Sequence, residues 1–390
     1  MAALPASVPP THPAVVITAI RQPLEITNLP TVPPGDGEVL IHVTWTSSSP
    51  LDLHRADGGL LVSTTPFPMG SSFAGTVVAL GGRGRGGASS ADSRLRVGDQ
   101  VFGFAMDGSA EAAGAQTYVT QPTWRVSKLP PNLTLAEAVG VPTNLVTAFH
   151  AITADLGLEL PWPVPQGWTP PRADELVLVW GAASSVGMYV LQVLRHWGYR
   201  NVLAVASGKH HDSLKALGAK ECFDYRNAGV VDEILGYVER VKGRVANGPK
   251  LPSIVDCIGS KEGTLRPLTK IAEPGSNVAV MLPVINVHAS EDQVPEYEMD
   301  VSKVLPGEWR EGVDVKGTRT HFYARNEFFK EHLQAEIVPT LLEQGVVQPN
   351  KQRFVEGKTL LERAQNALNL LRSQAVSGEK LVWRVAEEED

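Results

Sequence analysis

The chain has 390 residues, a formal net charge of −7 and a hydrophobic share of 43%. Single hydrophobic cores stop growing at roughly 250–300 residues, so this length predicts two domains. The acidic balance argues against nucleic-acid binding as the main activity, because such a site needs a basic surface. Part of the acidic excess lies in the tail Glu387–Asp390, which we interpret as a solvated end.

The cysteine content also limits the possibilities. Cys222 and Cys257 are the two cysteines of the chain. They are too few for a disulfide framework or for a cysteine-rich structural zinc site, which needs about four ligands. The first residues lack the basic and apolar regions of a signal peptide, and no apolar run reaches the roughly 18–20 residues that span a bilayer. We therefore expect a cytoplasmic protein without a membrane segment.

The first 148 residues have the pattern of a β-rich domain, in which short β-prone runs alternate with Gly and Pro clusters. The predicted strands are Val15–Ile20, Val39–Thr46, Gly75–Leu80, Gln100–Phe104 and Gln116–Val119. The segment Gly81–Arg94 is rich in Gly, Arg and Ser. An RNA-binding tract and a hairpin insertion would both have this composition, and the acidic chain favours the insertion.

The pattern becomes helical around Leu133–Ile152, where Thr134 and Glu137 have the spacing of a capping box. A loop is expected at Pro161–Pro171, which is rich in proline. Strands and helices then alternate. Leu176–Trp180 is a continuous apolar run, typical of a strand that is covered on both faces.

The alternation continues beyond that strand. The expected elements are the helices Ser185–Trp197 and His211–Leu217 and the strands Val202–Ala206, Ile254–Ile258 and Val278–Leu282. Such alternation predicts a doubly wound parallel sheet. The last part returns to helices at Glu327–Gln344 and Leu360–Leu371 and ends on a β-prone run at Lys380–Val385. We therefore predict an α/β protein in which a discontinuous β-rich domain, residues 1–148 and 324–390, surrounds a parallel-sheet domain, residues 149–323.

A glycine-containing turn joins the strand Leu176–Trp180 to the next helix. Its sequence is Gly181-Ala182-Ala183-Ser184-Ser185-Val186-Gly187. Small residues let the backbone approach a pyrophosphate, and the helix N-terminus offers unpaired N–H groups with a favourable dipole. Ser184 and Ser185 would add hydroxyl donors. The turn could be purely structural, but a strand, a glycine turn and a helix in this order are the context that a dinucleotide site requires.

The end of the second strand of this domain indicates which dinucleotide is bound. A site that prefers NAD places Asp or Glu about twenty residues after the glycine turn. Here Ser207 occupies that place, and Gly208 and Lys209 follow it. A hydroxyl and an ammonium attract the 2′-phosphate that a carboxylate would repel, so the sequence favours NADPH. Lys209 could otherwise be an ordinary solvated lysine at a helix start.

Several motifs in chain order resemble the fungal zinc-free branch of the medium-chain dehydrogenase/reductase superfamily, which includes quinone oxidoreductase-like proteins and stand-alone enoyl reductases that assist polyketide synthases. The motifs are Arg96–Gly103, Trp180–Gln192, Ser207–Lys209, Gly218–Ala219, Asp224–Arg226 and Ser377–Val382. The resemblance covers nearly the whole chain. It implies a GroES-like β-rich catalytic domain and a Rossmann domain, in a monomer or a homodimer. It also implies that Tyr225 helps to hold the 2′-phosphate, although this side chain could simply pack at a strand end.

The residues that would ligate a catalytic zinc ion are missing. Zinc-dependent members of the superfamily carry a ligating Cys early in the chain, followed by Gly-His-Glu. Here Ser71 and Ser72 stand where His and Glu would, and no cysteine precedes Cys222. His42 and His54 alone cannot build a three-ligand site, so we predict no metal. Zinc-free relatives often carry Asp at the position of Ser72, so this departure leaves the shape of the pocket floor open.

Without a metal to polarise an alcohol, the predicted reaction is hydride transfer to an activated C=C bond or a quinone. The protein then needs a hydrogen-bond donor that stabilises an enolate-like anion. Ser49–His54 resembles an active-site segment of the family, in which His54 replaces a lysine or tyrosine donor. His54 could otherwise be a polar loop residue. Ser49 and Asp52 are assigned to the cofactor site, where Asp52 is expected to cap or orient the loop.

Four further residues complete the predicted site. Thr147 matches a threonine that in relatives approaches the nicotinamide amide or the substrate, although on a buried helix its hydroxyl could bond back to the previous turn. Cys257, Ile258 and Leu282 belong to strand ends of the Rossmann domain and should lie near the nicotinamide. Cys257 is expected to be a wall residue, because nothing near it in the sequence would lower the pKa of its thiol.

The sequence thus predicts an NADPH-dependent reductase of enones, quinones or enoyl thioesters. Its expected partner is a small-molecule substrate or a carrier-bound acyl chain, and neither a nucleic acid nor a membrane. Two alternatives remain. One is a trans-acting enoyl reductase that depends on a polyketide synthase, and the other is a non-catalytic NADPH-binding protein similar to a lens crystallin.

Overall fold

The computed structural model of the protein describes residues 4–82, 94–105, 109–241 and 248–386. In chain order, their strands are β1 (Thr11–Ile17), β2 (Glu25–Pro30), β3 (Glu38–Ser48), β4 (Phe67–Pro68), β5 (Ser72–Leu80), β6 (Gln100–Phe104), β7 (Tyr118–Pro122), β8 (Val126–Lys128), β9 (Val177–Trp180), β10 (Val202–Val205), β11 (Glu221–Phe223), β12 (Ser253–Asp256), β13 (Asn277–Met281), β14 (Val284–Val287), β15 (Glu296–Glu298), β16 (Asp314–Thr318), β17 (Gln352–Phe354) and β18 (Lys380–Arg384).

The α-helices of the same residues are α1 (Pro50–Gly58), α2 (Leu135–Ala138), α3 (Pro142–His150), α4 (Ser185–His196), α5 (His211–Leu217), α6 (Val230–Val241), α7 (Arg266–Ile271), α8 (Glu327–His332), α9 (Val338–Glu343) and α10 (Leu360–Arg372). Single π-helical turns lie at Ala151–Asp155, Lys261–Leu265 and Leu333–Ile337. Short 3₁₀ turns lie at Ala110–Ala112, Thr123–Arg125, Gly208–His210, Val301–Lys303 and Thr320–Arg325.

The first compact unit comprises Met1–Thr143, Ala289–Val294 and Ala324–Asp390. Its large sheet has the strand order β17-β18-β3-β5-β6-β8, with β7 also paired to β3, and a small sheet has the order β2-β1-β4. The long central strand β3 packs on both faces. Val39, Ile41 and Val43 enter the main core of this unit, whereas Leu40 packs with Ala79 and Tyr118 on the other side. This alternation is the period of two that a strand imposes on its side chains.

The second compact unit comprises Asn144–His288 and Pro295–Tyr323. Its main sheet has six strands, all parallel, in the order β11-β10-β9-β12-β13-β16, and β14 and β15 form a separate antiparallel pair. Counted from β9, this is the order 3-2-1-4-5-6 of a Rossmann sheet. All four residues of β9 and of β10 are buried, as expected of strands that helices cover on both faces. The predicted α/β class with a doubly wound parallel sheet is therefore confirmed.

The limits of these units differ from the domain limits that we expected from the sequence. Residues 144–148 belong to the second unit, because α3 begins before the expected boundary and continues through it. Ala289–Val294 belongs to the first unit. The Arg21 guanidinium donates to the backbone oxygens of Ser290, Glu291 and Gln293, and these contacts fix that segment. The local hydrophobic periodicity of the sequence indicates neither the boundary within α3 nor the placement of Ala289–Val294 in the first unit.

Some predicted elements are corrected by the structure. The segment Ser49–His54, expected as a loop, begins helix α1, because Ser49 is the N-cap and Pro50 follows at the first helical position. The helical region Leu133–Ile152 is divided into α2 and α3. The expected capping box of Thr134 and Glu137 is confirmed. The strand predicted at Ile254–Ile258 ends at Asp256, so Cys257 and Ile258 follow it.

Two predictions concern residues outside the described ranges. Residues 83–93, the body of the Gly81–Arg94 segment, lie outside them, and so does the acidic tail at Glu387–Asp390. The loop expected at Pro161–Pro171 has no regular secondary structure.

Candidate functional site

The turn Gly181–Gly187 joins β9 to α4 at the point where the strand order of the sheet reverses. Gly181 has φ +73°, and a Cβ there would lie 2.5 Å from Cγ1 of Ile258, so only glycine fits. A Cβ at Gly187 would lie 2.6 Å from the carbonyl oxygen of Gly181. The first turn of α4 therefore packs directly on the loop backbone. This cradle fits a pyrophosphate, which approaches backbone N–H groups closely.

The N-terminus of α4 is open to an anion. Ser184 is its N-cap, and the Ser184 hydroxyl oxygen accepts a hydrogen bond from the backbone N–H of Gly187 at 3.1 Å. The first turn carries no acidic residue, and Ser184, Ser185 and Val186 are partly exposed. The positive end of this 12-residue helix is therefore not neutralised by its own first turn. The Ser184 hydroxyl caps the helix in addition to any contact with a ligand.

The segment after β12 forms a wall beside the glycine turn. Ile258 is 38% exposed, whereas Cys257 is buried. Burial and the neighbouring Asp256 carboxyl raise the pKa of the Cys257 thiol, and the Ser184 hydroxyl lowers it by less. A thiol in this environment stays protonated and is a poor nucleophile. The geometry supports the interpretation of Cys257 as a wall residue.

A buried carboxyl group fixes the shape of that wall. Asp256 accepts hydrogen bonds from the Thr264 hydroxyl at 2.5 Å and from the backbone N–H groups of Ile258 at 3.0 Å and Gly259 at 3.2 Å. Burial raises the pKa of Asp256 to about 6. Gly259 has φ +70°, and a Cβ there would lie 2.3 Å from the Met281 carbonyl oxygen. The chain therefore turns sharply at this glycine, directly after the wall residues.

The ends of β10 and β11 lie side by side, because the Ala206 N–H donates to the Phe223 carbonyl. Ser207 is buried, while Lys209 is exposed and Tyr225 is 49% exposed. These three residues of the prediction thus occupy neighbouring strand ends. The Arg226 guanidinium lies 5.4 Å from the centre of the Tyr225 ring.

An acidic residue, Asp224, also lies in this cluster and was not among the predicted site residues. Asp224 accepts hydrogen bonds from the backbone N–H groups of Gly208 at 2.8 Å and Arg226 at 2.9 Å. These bonds lower the pKa of the Asp224 carboxyl. Each of its two oxygens therefore accepts a hydrogen bond from a backbone N–H group. Through the bond to Gly208, the carboxylate links the end of β11 to the end of β10. Arg226 was also missed as a candidate, although the motif Asp224–Arg226 contains it.

Leu282 and Thr147 occupy two further positions of the second unit. Leu282 follows β13 and packs against Gly317 of β16, where a Cβ would lie 2.6 Å from Leu282 Cδ1. Thr147 is buried in α3, and its hydroxyl oxygen lies 2.7 Å from that of Thr320. Thr320 was not predicted as a site residue, because the strand before it lies in a stretch without a recognisable period.

The predicted site residues of the first unit lie in and beside α1. Ser49, Asp52 and His54 are all buried, at 7%, 2% and 8% exposure. The Ser49 backbone N–H donates to Asp52 Oδ2 at 2.8 Å, so the Asp52 carboxylate occupies the N-terminus of α1. Asp52 therefore acts as a helix cap, as one interpretation of the sequence expected. His54 lies within the helix, which excludes the interpretation as a polar loop residue.

Lys380 is a buried cation that was not among the predicted site residues. It begins β18, whose next residue, Leu381, pairs with Ser48 of β3. A Cβ at Gly140 would lie 2.9 Å from Lys380 Cγ, so the lysine stem packs on that glycine. Burial lowers the pKa of the Lys380 ammonium to about 8, and the charge of Asp52 raises it. Burial raises the pKa of Asp52, while Arg55 and Lys380 lower it.

The position expected for a zinc ligand has a different use in the structure. The hydroxyl oxygens of Ser72 and Ser47 are 2.6 Å apart, and the Thr46 hydroxyl donates to the Ser72 carbonyl at 2.6 Å. Ser72 is thus part of the hydrogen bonding between β3 and β5. Across the described ranges, no group of three or more His, Cys, Asp and Glu side chains is placed to hold a metal ion. The absence of a metal stays a prediction.

Comparisons with known proteins agree with this geometry. The alcohol dehydrogenase GroES-like domain matches residues 35–148. Trans-enoyl reductase tndF of Aspergillus flavipes is 34% identical over 234 residues, which cover 59% of this chain and 64% of tndF. Trans-enoyl reductase tazE of Aspergillus terreus is 34% identical over 235 residues, which cover 59% of this chain and 73% of tazE. The match therefore spans just under two thirds of the length of tndF.

The chain belongs to the medium-chain dehydrogenase/reductase superfamily. Within it, the chain falls in the enoyl reductase-like branch. The quinone oxidoreductase from Coxiella burnetii is 20% identical, with a TM-score of 0.67 over 96% of this chain and 100% of that chain. At this identity the likeness concerns the fold alone, and it confirms a GroES-like unit together with a Rossmann unit. Within the described ranges, this member of the superfamily has no helix that is long and apolar enough to cross a membrane.

Proposed function

We propose that this protein is an NADPH-dependent reductase that transfers a hydride to an activated C=C bond or a quinone without a metal. The observation that carries the proposal is the cluster at the ends of β10 and β11. It combines a serine hydroxyl, two cations and a tyrosine, and it has no acidic residue where an NAD site requires one. The residues of the cluster are Ser207, Lys209, Tyr225 and Arg226.

The charges of this cluster favour a phosphate over a hydroxyl. Lys209 and Arg226 each carry a positive charge, and a 2′-phosphate carries nearly two negative charges at neutral pH. Asp224 stays ionised because backbone N–H groups lower the pKa of its carboxyl. Its two oxygens accept bonds from the backbone N–H groups of Gly208 and Arg226, and it follows β11 rather than β10, where the acid of an NAD site lies.

Bound NADPH would supply the hydride. The chain would hold the pyrophosphate at the Gly181–Gly187 turn, and Cys257, Ile258 and Leu282 would exclude water from the nicotinamide. Thr147 would orient the carboxamide or the substrate carbonyl. His54 would donate a hydrogen bond or a proton to that carbonyl as negative charge develops on its oxygen.

The experiment that tests the proposal joins binding to turnover. NADPH and NADH are titrated by fluorescence, and turnover is followed with 1,4-benzoquinone, 2-cyclohexen-1-one and a crotonyl thioester of N-acetylcysteamine. We expect NADPH to bind at least about tenfold more tightly than NADH, the scale of one charge-assisted contact. Turnover of one or more substrates should survive dialysis against a chelator. Equal affinities would contradict the NADPH assignment, and tight binding without turnover would favour the non-catalytic alternative.

A second candidate function is a trans-acting enoyl reductase that receives its substrate on the carrier domain of a polyketide synthase. It is favoured by tndF and tazE, both named trans-enoyl reductases. The same enoyl group is offered on an acyl carrier protein and on N-acetylcysteamine, and the kcat/KM values are compared. A preference of about tenfold or more for the carrier would support this function. Equal values would favour a reductase that works alone.

A further inference from the structure

A hydrogen-bonded pair of hydroxyl groups links α3 to the chain that follows β16. Thr147 Oγ1 and Thr320 Oγ1 are 2.7 Å apart. Thr147 is buried, whereas Thr320 is partly exposed and begins the short turn Thr320–Arg325. In such a pair one hydroxyl donates and the other accepts, so each restricts the direction in which the other can offer its proton. The direction of the Thr147 hydroxyl is therefore set in part by Thr320.

The topology places Thr320 in the same row as residues already assigned to the site. In the parallel sheet, Ser207 is the second residue after β10 and Ile258 is the second residue after β12. Thr320 is the second residue after β16. Ligands of open parallel sheets bind beyond the carboxyl ends of the strands. Thr320 thus lies at the edge where such a ligand would bind, although no strand was predicted before it.

The strand β16 also contacts the π turn that follows α3. The Thr318 hydroxyl donates to Asp155 Oδ2 at 2.7 Å, and Lys316 Nζ donates to the Asp155 backbone oxygen at 3.1 Å. Asp155 ends the π turn that continues α3. His150 Nε2 lies 4.0 Å from Asp155 Oδ1. Helix α3 and its π turn are therefore tied to β16 and the residues after it at Thr147 and again at Asp155.

We propose that Thr320 is a positioning residue, which directs the Thr147 hydroxyl toward the bound nicotinamide or the substrate carbonyl. The inference rests on the proposed function and on the role assigned to Thr147. A hydroxyl whose direction is already restricted by a neighbour offers its hydrogen bond without first being reoriented, and small losses of such alignment lower the rate substantially. Thr320 acts through Thr147, so its hydroxyl matters for turnover more than for cofactor affinity.

The experiment is a double-mutant cycle with a conservative rescue. Thr147→Val, Thr320→Val, the double variant and Thr320→Ser are compared in kcat and KM for NADPH-dependent reduction of the preferred substrate, in NADPH affinity and in melting temperature. Thr320→Val should lower kcat about tenfold and leave the NADPH Kd within about twofold. Thr320→Ser should restore most of the rate. The double variant should be no slower than the slower single variant, because coupled residues are not additive.

Thr269→Val is the matched control, since the Thr269 hydroxyl is also in the second unit and donates at 2.8 Å, but to the Arg266 carbonyl of its own helix. It should leave kcat unchanged. An unchanged kcat in Thr320→Val, or rate losses that multiply in the double variant, would overturn the inference. If the wild-type protein turns over no substrate, the proposed function fails, and the inference fails with it. If the wild-type protein turns over substrate, the kcat values of the variants alone decide the inference, because a merely structural hydroxyl pair would also couple the melting temperatures.

Discussion

Two helices in different units of this protein, α1 and α4, each begin with a serine N-cap. They differ in whether a carboxylate of the chain neutralises the positive end of the helix dipole. At α4, the first turn has no acidic residue, and the residues of the cap are partly exposed. At α1, the Asp52 carboxylate accepts the N–H of Ser49, and both residues are buried. A helix N-terminus is an anion site only when the chain does not supply the anion itself. We therefore expect the N-terminus of α4 to bind the cofactor. The assignment of Ser49 and Asp52 to the cofactor site stays a prediction, which the capped start of α1 does not favour.

The largest effect should follow from adding a methyl group to the cradle at α4. In Gly181→Ala, the alanine is forced into a left-handed conformation and its Cβ against Ile258, so the turn must move away from the position proposed for the pyrophosphate. We expect NADPH affinity to fall at least about a hundredfold, as measured by fluorescence titration.

Gly167→Ala is the control for that variant. Gly167 lies in the same unit and also has φ +73°, but a Cβ there would have no atom within 4 Å. It should share the local strain, roughly 1 kcal/mol, without a loss of affinity. If both variants lose affinity equally, the cradle at α4 is not the cofactor site.

The contrast between the two helices also explains how much the sequence could predict. The turn at α4 was predictable because glycine, small residues and a buried strand are local signals of one backbone geometry. Helix α1 was missed because its buried positions include Asp52, His54, Arg55 and Asp57, which have the pattern of a surface. Asp57 is buried against Arg372, whose guanidinium donates to it at 2.7 and 2.8 Å from 315 residues away in the chain.

The edge strand β16 illustrates a second limit of sequence reasoning. Its residues Asp314–Thr318 are an aspartate, one valine, a lysine, a glycine and a threonine, so they lack the apolar run of the buried strands. The segment forms a strand because it pairs with β13, and its composition alone does not indicate a strand. The predicted residues at the other strand ends could be named, but Thr320 could not, because its position depends on a strand without a signature.

The second-largest effect tests whether α1 contributes to the reaction at all. His54→Phe should lower kcat roughly tenfold to a hundredfold, the scale of a lost proton donor, and leave NADPH affinity unchanged. His54→Gln, which retains an N–H donor, should keep more of the rate. His42→Phe is the control, because His42 lies in the same unit with its ring 5.1 Å from Tyr118. An unchanged kcat in His54→Phe would assign this histidine to the structure of α1 alone.

A smaller effect is expected at the far end of the cofactor. Lys209→Ala should weaken NADPH binding by about 1.4 kcal/mol, roughly tenfold, because an exposed charge-assisted contact is lost. NADH binding should hardly change. Lys220→Ala is a matched control, since Lys220 is an exposed lysine before β11 whose Nζ donates to Asn201 at 2.7 Å. If Lys209→Ala weakens NADPH and NADH equally, Lys209 does not contact the 2′-phosphate.

The smallest effect on binding should come from the cap of α1. Asp52→Asn keeps an acceptor for the Ser49 N–H and removes the charge, so NADPH affinity should stay within about twofold. The change should appear in the pH dependence of unfolding. Because burial raises the pKa of Asp52 above its ordinary value of 3.8, the unfolded chain ionises this group at a lower pH than the folded chain does. The free energy of unfolding therefore falls as pH rises through that interval, and it should fall less in Asp52→Asn.

Ser184→Ala completes the test, because it removes the corresponding cap of α4. It should lower the free energy of unfolding by about 0.5–2 kcal/mol, as the loss of an N-cap does, and it should also weaken NADPH binding. A cap that serves only its helix changes stability alone, whereas a cap beside a ligand changes both. If Asp52→Asn weakens NADPH binding as much as Ser184→Ala does, the N-terminus of α1 belongs to the cofactor site. Both helix N-termini would then contribute to cofactor binding, although only α1 has a carboxylate in its first turn.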